Sequence, residues 1–299
     1  MPEKRALTVV YLKMLAAVVI WGGSFIATKI GLREIGVWTL IWLRFALGSL
    51  ILGAVLVQRG EMRVPGGRDL LRYAFLGLMG FALHQWLQVT GMLTAAASTT
   101  AWIVSTAPVF IALLGVLFLK ERLSALAAGG IGLATLGVLL VVSKGDLGSV
   151  LRGTFGTYGD FLILLSAPNW AIYSVVSRDV LRERPATLVT FWVLLMGWLF
   201  VFPPFLLGQG WLELGAVSAQ GWLAVLFLGV LCTAAAHLFW NDGLQALGAS
   251  RSGAFLYLEP LVSMLAAAVL LGETITTVSL LGGGLILLGV WLVNARSND

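Results

Sequence analysis

Residues 130–138 read Gly-Ile-Gly-Leu-Ala-Thr-Leu-Gly-Val, and residues 282–290 read Gly-Gly-Gly-Leu-Ile-Leu-Leu-Gly-Val. Six of these nine positions coincide at a separation of 152 residues, and the coincidence extends outward. At the same separation Glu121 falls on Glu273, Pro108 on Pro260, Ala97-Ser98 on Ala249-Ser250, Gly91 on Gly243 and Gly77 on Gly229. A separation of 149 places Trp21 on Trp170 and Lys29 on Arg178, so a three-residue indel lies between the two registers. The chain reads as a duplication, with a first unit over 1–147 and a second over 148–299.

The composition says what kind of unit is repeated. Of 299 residues, 59% are hydrophobic and 11% charged, and the mean hydropathy is +0.97. A soluble domain carries about 25% charged residues, so a soluble fold is excluded. Apolar runs of about 20 residues, each long enough to cross a bilayer as a helix, fall at 11–32, 36–57, 70–91, 97–119, 123–143, 157–177, 187–206, 220–241, 251–271 and 276–294. The expected fold is an all-α integral membrane protein with ten transmembrane helices and no separate soluble domain. Five crossings per unit is an odd number, so the second unit is inverted relative to the first. The first run lacks a small-x-small cleavage site and exceeds the usual signal-peptide core. It is expected to be retained.

The net charge of +5 is a topology signal. Fourteen of the nineteen basic residues, from Lys4 and Arg5 to Arg251 and Arg296, fall in alternating tails and loops. Positive loops stay cytoplasmic, which places both termini in the cytoplasm and removes the case for nucleic acid. Cys232 is the only cysteine, so no intrachain disulfide or thiolate metal cluster is available, and a packed, inert thiol is expected. There is no HExxH, CxxC or GxxxxGK[ST], so zinc hydrolysis and ATP-driven pumping lack their residues. No catalytic residue, metal or cofactor is expected.

Paired inverted units are the device by which secondary transporters present one midplane site to either side in turn. Trp21-Gly22-Gly23-Ser24-Phe25, Arg44-Phe45, Pro108 followed by Lys120-Glu121-Arg122, Leu258-Glu259-Pro260 and Gly272-Glu273-Thr274 appear in order. This pattern resembles the drug/metabolite transporter superfamily, and within it the ten-helix EamA-type exporters. The resemblance covers essentially the whole chain. It implies a bacterial inner-membrane exporter of amino acids, related metabolites or cationic drugs, similar in its aromatic lining to the aromatic amino acid and methyl viologen exporters.

Polar side chains within hydrocarbon face the bundle interior, since a lipid-facing charge is costly. Helical spacing then shows which of them share a face. Trp21, Ser24 and Thr28 form one stripe; Ser166, Trp170, Tyr173 and Ser177 form another. His84, Gln85 and Gln88 in the third run match His237, Trp240 and Asn241 in the eighth; Ser98, Trp102 and Ser105 stand in the fourth, and Ser252, Glu259 and Ser263 in the ninth. The candidate substrate-binding set is Trp21, Ser24, His84, Gln85, Gln88, Trp102, Ser105, Trp170, Tyr173, His237, Trp240, Asn241 and Glu259. Aromatic rings offer stacking and cation–π contacts, and the polar groups orient a small amphipathic ligand. Glu259 precedes a proline that disturbs its helix, where a carboxylate can bind an ammonium group, carry a proton or hold the ninth run in place. The two histidines can titrate near neutrality.

Arg44, within the second run, reads as a structural or gating residue that snorkels outward or bonds to a broken helix. Glu121 and Glu273 read as ties for short turns. The glycines at 129, 130, 132 and 137 and at 282, 283, 284 and 289 are expected to let the fifth and tenth helices approach closely. Export of amino acids by alternating access is the expected function, with the bilayer and a small-molecule substrate as partners and a monomer sufficient. Transport of drugs, nucleotide sugars or lipids stays open, as does a membrane-embedded enzyme using Glu259 and His84.

Overall fold

A computed structural model describes residues 2–119, 124–153, 156–247 and 255–294. All the regular secondary structure among them is helical. In chain order the α-helices are α1 Pro2–Gly31, α2 Val37–Gln58, α3 Gly67–Leu76, α4 His84–Gly91, α5 Ala97–Val104, α6 Ala107–Leu119, α7 Ala125–Val142 and the short α8 Leu147–Leu151. The second part holds α9 Tyr158–Glu183, α10 Ala186–Leu207, α11 Ala219–Leu226, α12 Ala236–Leu247, α13 Glu259–Leu271 and α14 Thr277–Asn294. Seven helical stretches are long and apolar enough to cross a membrane, and Leu256–Leu271 and Thr277–Val293 are shorter apolar helices. Lys120, Glu121, Arg122, Ala249, Ser250, Arg251, Ser252 and Arg296, named above, lie outside the described residues.

Two expected continuous helices are interrupted in matching ways. Between α3 and α4 the chain passes through a π-helical stretch, Gly77–Leu83, and between α11 and α12 through another, Phe227–Ala235. Periodicity gives no sign of either, because one extra residue per turn leaves the apolar character unchanged. The fourth run breaks at Ser105 and Thr106, between α5 and α6. Pro108 has no N–H to offer one turn back, and the chain closes with the tighter bonds Thr106 N to Ile103 O at 3.0 Å and Val109 N to Thr106 O at 2.9 Å. In the second half a single 3₁₀ turn, Leu256–Leu258, leads into Glu259 and Pro260 at the start of α13.

The packing comes in exchanged pairs. α2 lies against the second π stretch and α10 against the first; α1 packs on α12 and α13, while α9 packs on α4 and α6. Gly243 meets Met14 on α1, and its counterpart Gly91 meets Ile163 on α9. Helices α7 and α14 touch through glycine. A Cβ at Gly130 would stand 2.6 Å from the Gly289 carbonyl oxygen, and one at Gly137 would stand 2.5 Å from that of Gly282. Of the eight glycines expected at this seam, these four form it. Gly283 instead receives the Trp102 ring of α5, and Gly129, Gly132 and Gly284 have nothing within 4 Å, because they lie on the outer faces of the same two helices.

At one end of the bundle, carboxylates cap helix starts in the other half. Glu34 accepts from Ser218 N at 2.7 Å and Ser218 Oγ at 2.6 Å, beside the start of α11. Glu213 accepts from Gly36 N at 2.8 Å, beside the start of α2. Glu273 accepts from Ala97 N at 2.8 Å, Ser98 N at 3.1 Å and Ser98 Oγ at 2.5 Å, at the start of α5. A carboxylate there satisfies free amide donors and opposes the helix dipole. The Ser218 hydrogen bonds hold the Glu34 carboxyl below its ordinary range. At the opposite end Arg184 pairs with Asp69 at 2.9 Å and Arg72 with Glu183 at 3.4 Å. Lys13 on α1 pairs with Asp242 on α12 at 2.6 Å.

Candidate functional site

Six of the thirteen candidate residues, carried by α1, α4, α9 and α12, fall on one line of rings that passes through the first π stretch. On the second-half side, the Trp21 ring lies 5.2 Å from Trp240 and 5.4 Å from His237. On the first-half side, Trp170 lies 4.8 Å from His84 and 4.8 Å from Tyr173. Phe81, in the first π stretch, joins them: its ring is 6.3 Å from His237 and 6.2 Å from Tyr173. Ring centroids 4.5–7 Å apart are in the attractive range for aromatic pairs. Tyr173 sits directly on Gly80, where a Cβ would collide with its ring. Glycine at 80 therefore sets how near α9 comes to the first π stretch.

Beside the rings lies Arg44, buried to 9% exposure on α2. Its Nε donates to Thr233 Oγ1 at 2.9 Å, Nη1 to Gln85 Oε1 at 3.1 Å and Nη2 to Cys232 Sγ at 3.1 Å. Thr233 in turn donates to the Leu228 carbonyl at 2.8 Å within the second π stretch. The Cys232 carbonyl accepts from Trp21 Nε1 at 3.2 Å and lies 3.3 Å from His237 Nδ1. Arg44 thus bonds to side chains at an irregular helix and does not snorkel outward. Cys232 is buried as expected, and it also serves as an acceptor for the guanidinium.

Other candidates stand apart from this line. Trp102 is 1% exposed, packed on Gly283 among Ile103, Ala134, Val138 and Ile286. It fills the seam between α5, α7 and α14. Ser105 Oγ donates to the Trp102 carbonyl at 2.7 Å, satisfying a backbone group at the break before Pro108. The Ser24 carbonyl accepts from Thr28 Oγ1 at 2.8 Å. Gln88 and Asn241 are both buried, and Asn241 Nδ2 lacks a partner among the described residues. Glu259 begins α13, where its carbonyl oxygen would stand 3.0 Å from a Cβ at Gly22, next to Trp21.

Sequence reasoning overlooked Phe81 and set Arg44 aside from the site. The spacing held a signal for Phe81, which lies one turn before His84 and Gln85 and aligns with Thr233 at 152 residues. For Arg44 the only signal was its charge within an apolar run. Among the described residues no group of three His, Cys, Asp or Glu is placed to hold a metal ion. The arrangement can stack planar or apolar groups along the rings and offer charged donors beside them.

Comparison with known proteins agrees with this architecture. The chain is 28% identical over 289 residues to an uncharacterized transporter of Archaeoglobus fulgidus, covering 97% of this chain and 98% of that one. It is 28% identical to a probable terminal-alkyne amino-acid exporter of Streptantibioticus cattleyicolor, covering 95% and 93%. One crystal structure matches with a TM-score of 0.66 at 21% identity, over 95% of this chain and 98% of that one, a likeness of fold. The model of the EamA-like transporter family matches twice, at residues 8–143 and 157–295. The chain is a multi-pass membrane protein of the drug/metabolite transporter superfamily and belongs to the EamA-like transporter family.

Proposed function

We propose that this transporter exports amino acids or related small metabolites across the bacterial inner membrane by alternating access. The substrate sits between two inverted five-helix units, 1–147 and 148–299, with both termini cytoplasmic. The observation that carries this reading is the line of rings from Trp240 and Trp21 through His237, Phe81 and Tyr173 to Trp170 and His84. It draws on both units and crosses their junction. The exchanged packing pairs and the double family match support the inverted arrangement. The exporter from Streptantibioticus cattleyicolor, related at 28% identity, supports the substrate class. Contacts of both units within one chain leave a monomer sufficient.

The test is uptake into liposomes. Purified protein moves labelled amino acids down a gradient with saturation; His84→Ala and Trp170→Ala slow it at least about tenfold while eluting as folded monomers. Unchanged transport in both variants removes the ring line as the substrate site. Saturable uptake of drugs, nucleotide sugars or lipids with none of amino acids reassigns the substrate class.

A further inference from the structure

Arg44 is a charge with no counter-charge. A guanidinium stays protonated at any working pH, and an ionised group in low dielectric is costly unless paired. Its three acceptors, Thr233, Gln85 and Cys232, are all neutral, and among the described residues no carboxylate forms an ion pair with it. Those bonds use Nε–H and one N–H of each Nη, so one N–H on each Nη remains. Neutral acceptors satisfy donors and leave the charge uncompensated.

The packing shows which side of the group is closed and which is open. Glycine on both elements brings α2 against the second π stretch. A Cβ at Gly48, one turn beyond Arg44, would collide with Thr233, and one at Gly229 would stand 2.6 Å from Leu47 Cβ and 3.3 Å from the Arg44 carbonyl oxygen. Phe45, Thr233 and Cys232 are fully buried, so the guanidinium is walled in on those sides. Gln85, its remaining partner, is only half-buried. Trp21 and His237 are half-buried too, and both lie against the Cys232 carbonyl, at 3.2 Å and 3.3 Å. The open side of the charge is therefore the side on which the rings stand.

We infer that Arg44 holds the carboxylate of the substrate. Two free N–H groups suit the two oxygens of a carboxylate, and its negative charge is the one that the buried guanidinium lacks. The rest of the substrate then lies along Trp21, His237 and Trp240. The same fixed positive charge disfavours organic cations, since like charges brought together are repelled. This rests on the amino-acid reading above and deepens it: the carboxylate is the group recognised, and Arg44 determines specificity beyond bracing the second π stretch.

The experiment uses the intact protein in liposomes, with whichever labelled amino acid the wild type moves fastest. The competitors are its deaminated acid and its decarboxylated amine; for tryptophan these are indole-3-propionate and tryptamine. In the wild type the acid competes about tenfold to hundredfold more strongly than the amine, the worth of one charge-assisted contact. Folded Arg44→Gln loses that preference, whereas Arg44→Lys, which keeps the charge without the planar fork, retains part of it. A purely structural Arg44 would slow transport in the variants and leave the ratio of acid to amine unchanged, which overturns the inference. Equal or stronger competition by the amine in the wild type overturns it whether or not any variant folds, and leaves amino-acid transport standing. Transport of no amino acid at all overturns the reading and the inference together.

Discussion

The seam between α7 and α14 permits a comparison of two substitutions on one helix. An alanine at Gly137 places its Cβ 2.5 Å from the Gly282 carbonyl oxygen, 2.7 Å from Ile286 Cγ1 and 2.8 Å from Ile286 N. Two of these three atoms are backbone, which cannot swing aside. Non-bonded carbon contacts are optimal at about 3.5 Å or more, so α14 must retreat by about 1 Å or distort. Overpacking of this kind costs about 1–3 kcal/mol. Alanine at Gly132, five residues earlier on the same helix, meets nothing within 4 Å. Both substitutions gain the same helix propensity, about 1 kcal/mol over glycine, and the difference between them isolates the contact. At about 2–4 °C per kcal/mol, Gly137→Ala melts about 2–12 °C below Gly132→Ala in detergent, followed by intrinsic tryptophan fluorescence. Equal melting temperatures would refute the close approach of these helices.

Two further expectations concern the capped end of the bundle. Removing the Glu273 carboxylate in Glu273→Ala leaves the Ala97 and Ser98 amides without their acceptor, and loss of such a cap costs about 0.5–2 kcal/mol; the melt falls by a few degrees, and Glu273→Gln recovers part of the loss. Hydrogen bonds from Ser218 lower the Glu34 pKa below its ordinary 4.5, so the carboxylate form is favoured in the folded state. Its contribution is full above the ordinary value and fades as pH falls through the lowered one. Acid titration of the melting temperature should therefore show a drop below about pH 4.5 that is smaller in Glu34→Gln; identical profiles would show that the Ser218 contact contributes nothing.

The repeat and the helical class were legible because apolar runs and their doubling are properties of composition and spacing alone. Where each helix breaks was only partly legible. Pro108 and Pro260 mark two interruptions, but the π stretches at Gly77–Leu83 and Phe227–Ala235 arise from packing. Glycine spacing named the seam helices and could not say which glycines face inward, since 129, 130 and 132 all lie within one turn. Helical stripes named Trp21, His84, Trp170, Tyr173, His237 and Trp240, whose rings lie along one line. They also named Trp102 and Ser105, which stand apart from that line, because a stripe shows a shared face but not which neighbour that face meets. Arg44, read as a structural or gating residue that snorkels outward or bonds to a broken helix, bonds to Thr233 and Cys232 in the second π stretch. Its partners Gln85, Cys232 and Thr233 lie on other helices, and only tertiary packing reveals that none of them carries a charge.

Counterflow in proteoliposomes tests the central claim most directly. Vesicles are loaded with an unlabelled amino acid, a trace of the labelled form is added outside, and the measurement is repeated with Trp170→Ala. A carrier whose site lies on the ring line accumulates label transiently above its external concentration, and the Trp170→Ala protein does not. No accumulation by the wild type with any amino acid, or equal accumulation by the folded variant, would contradict it.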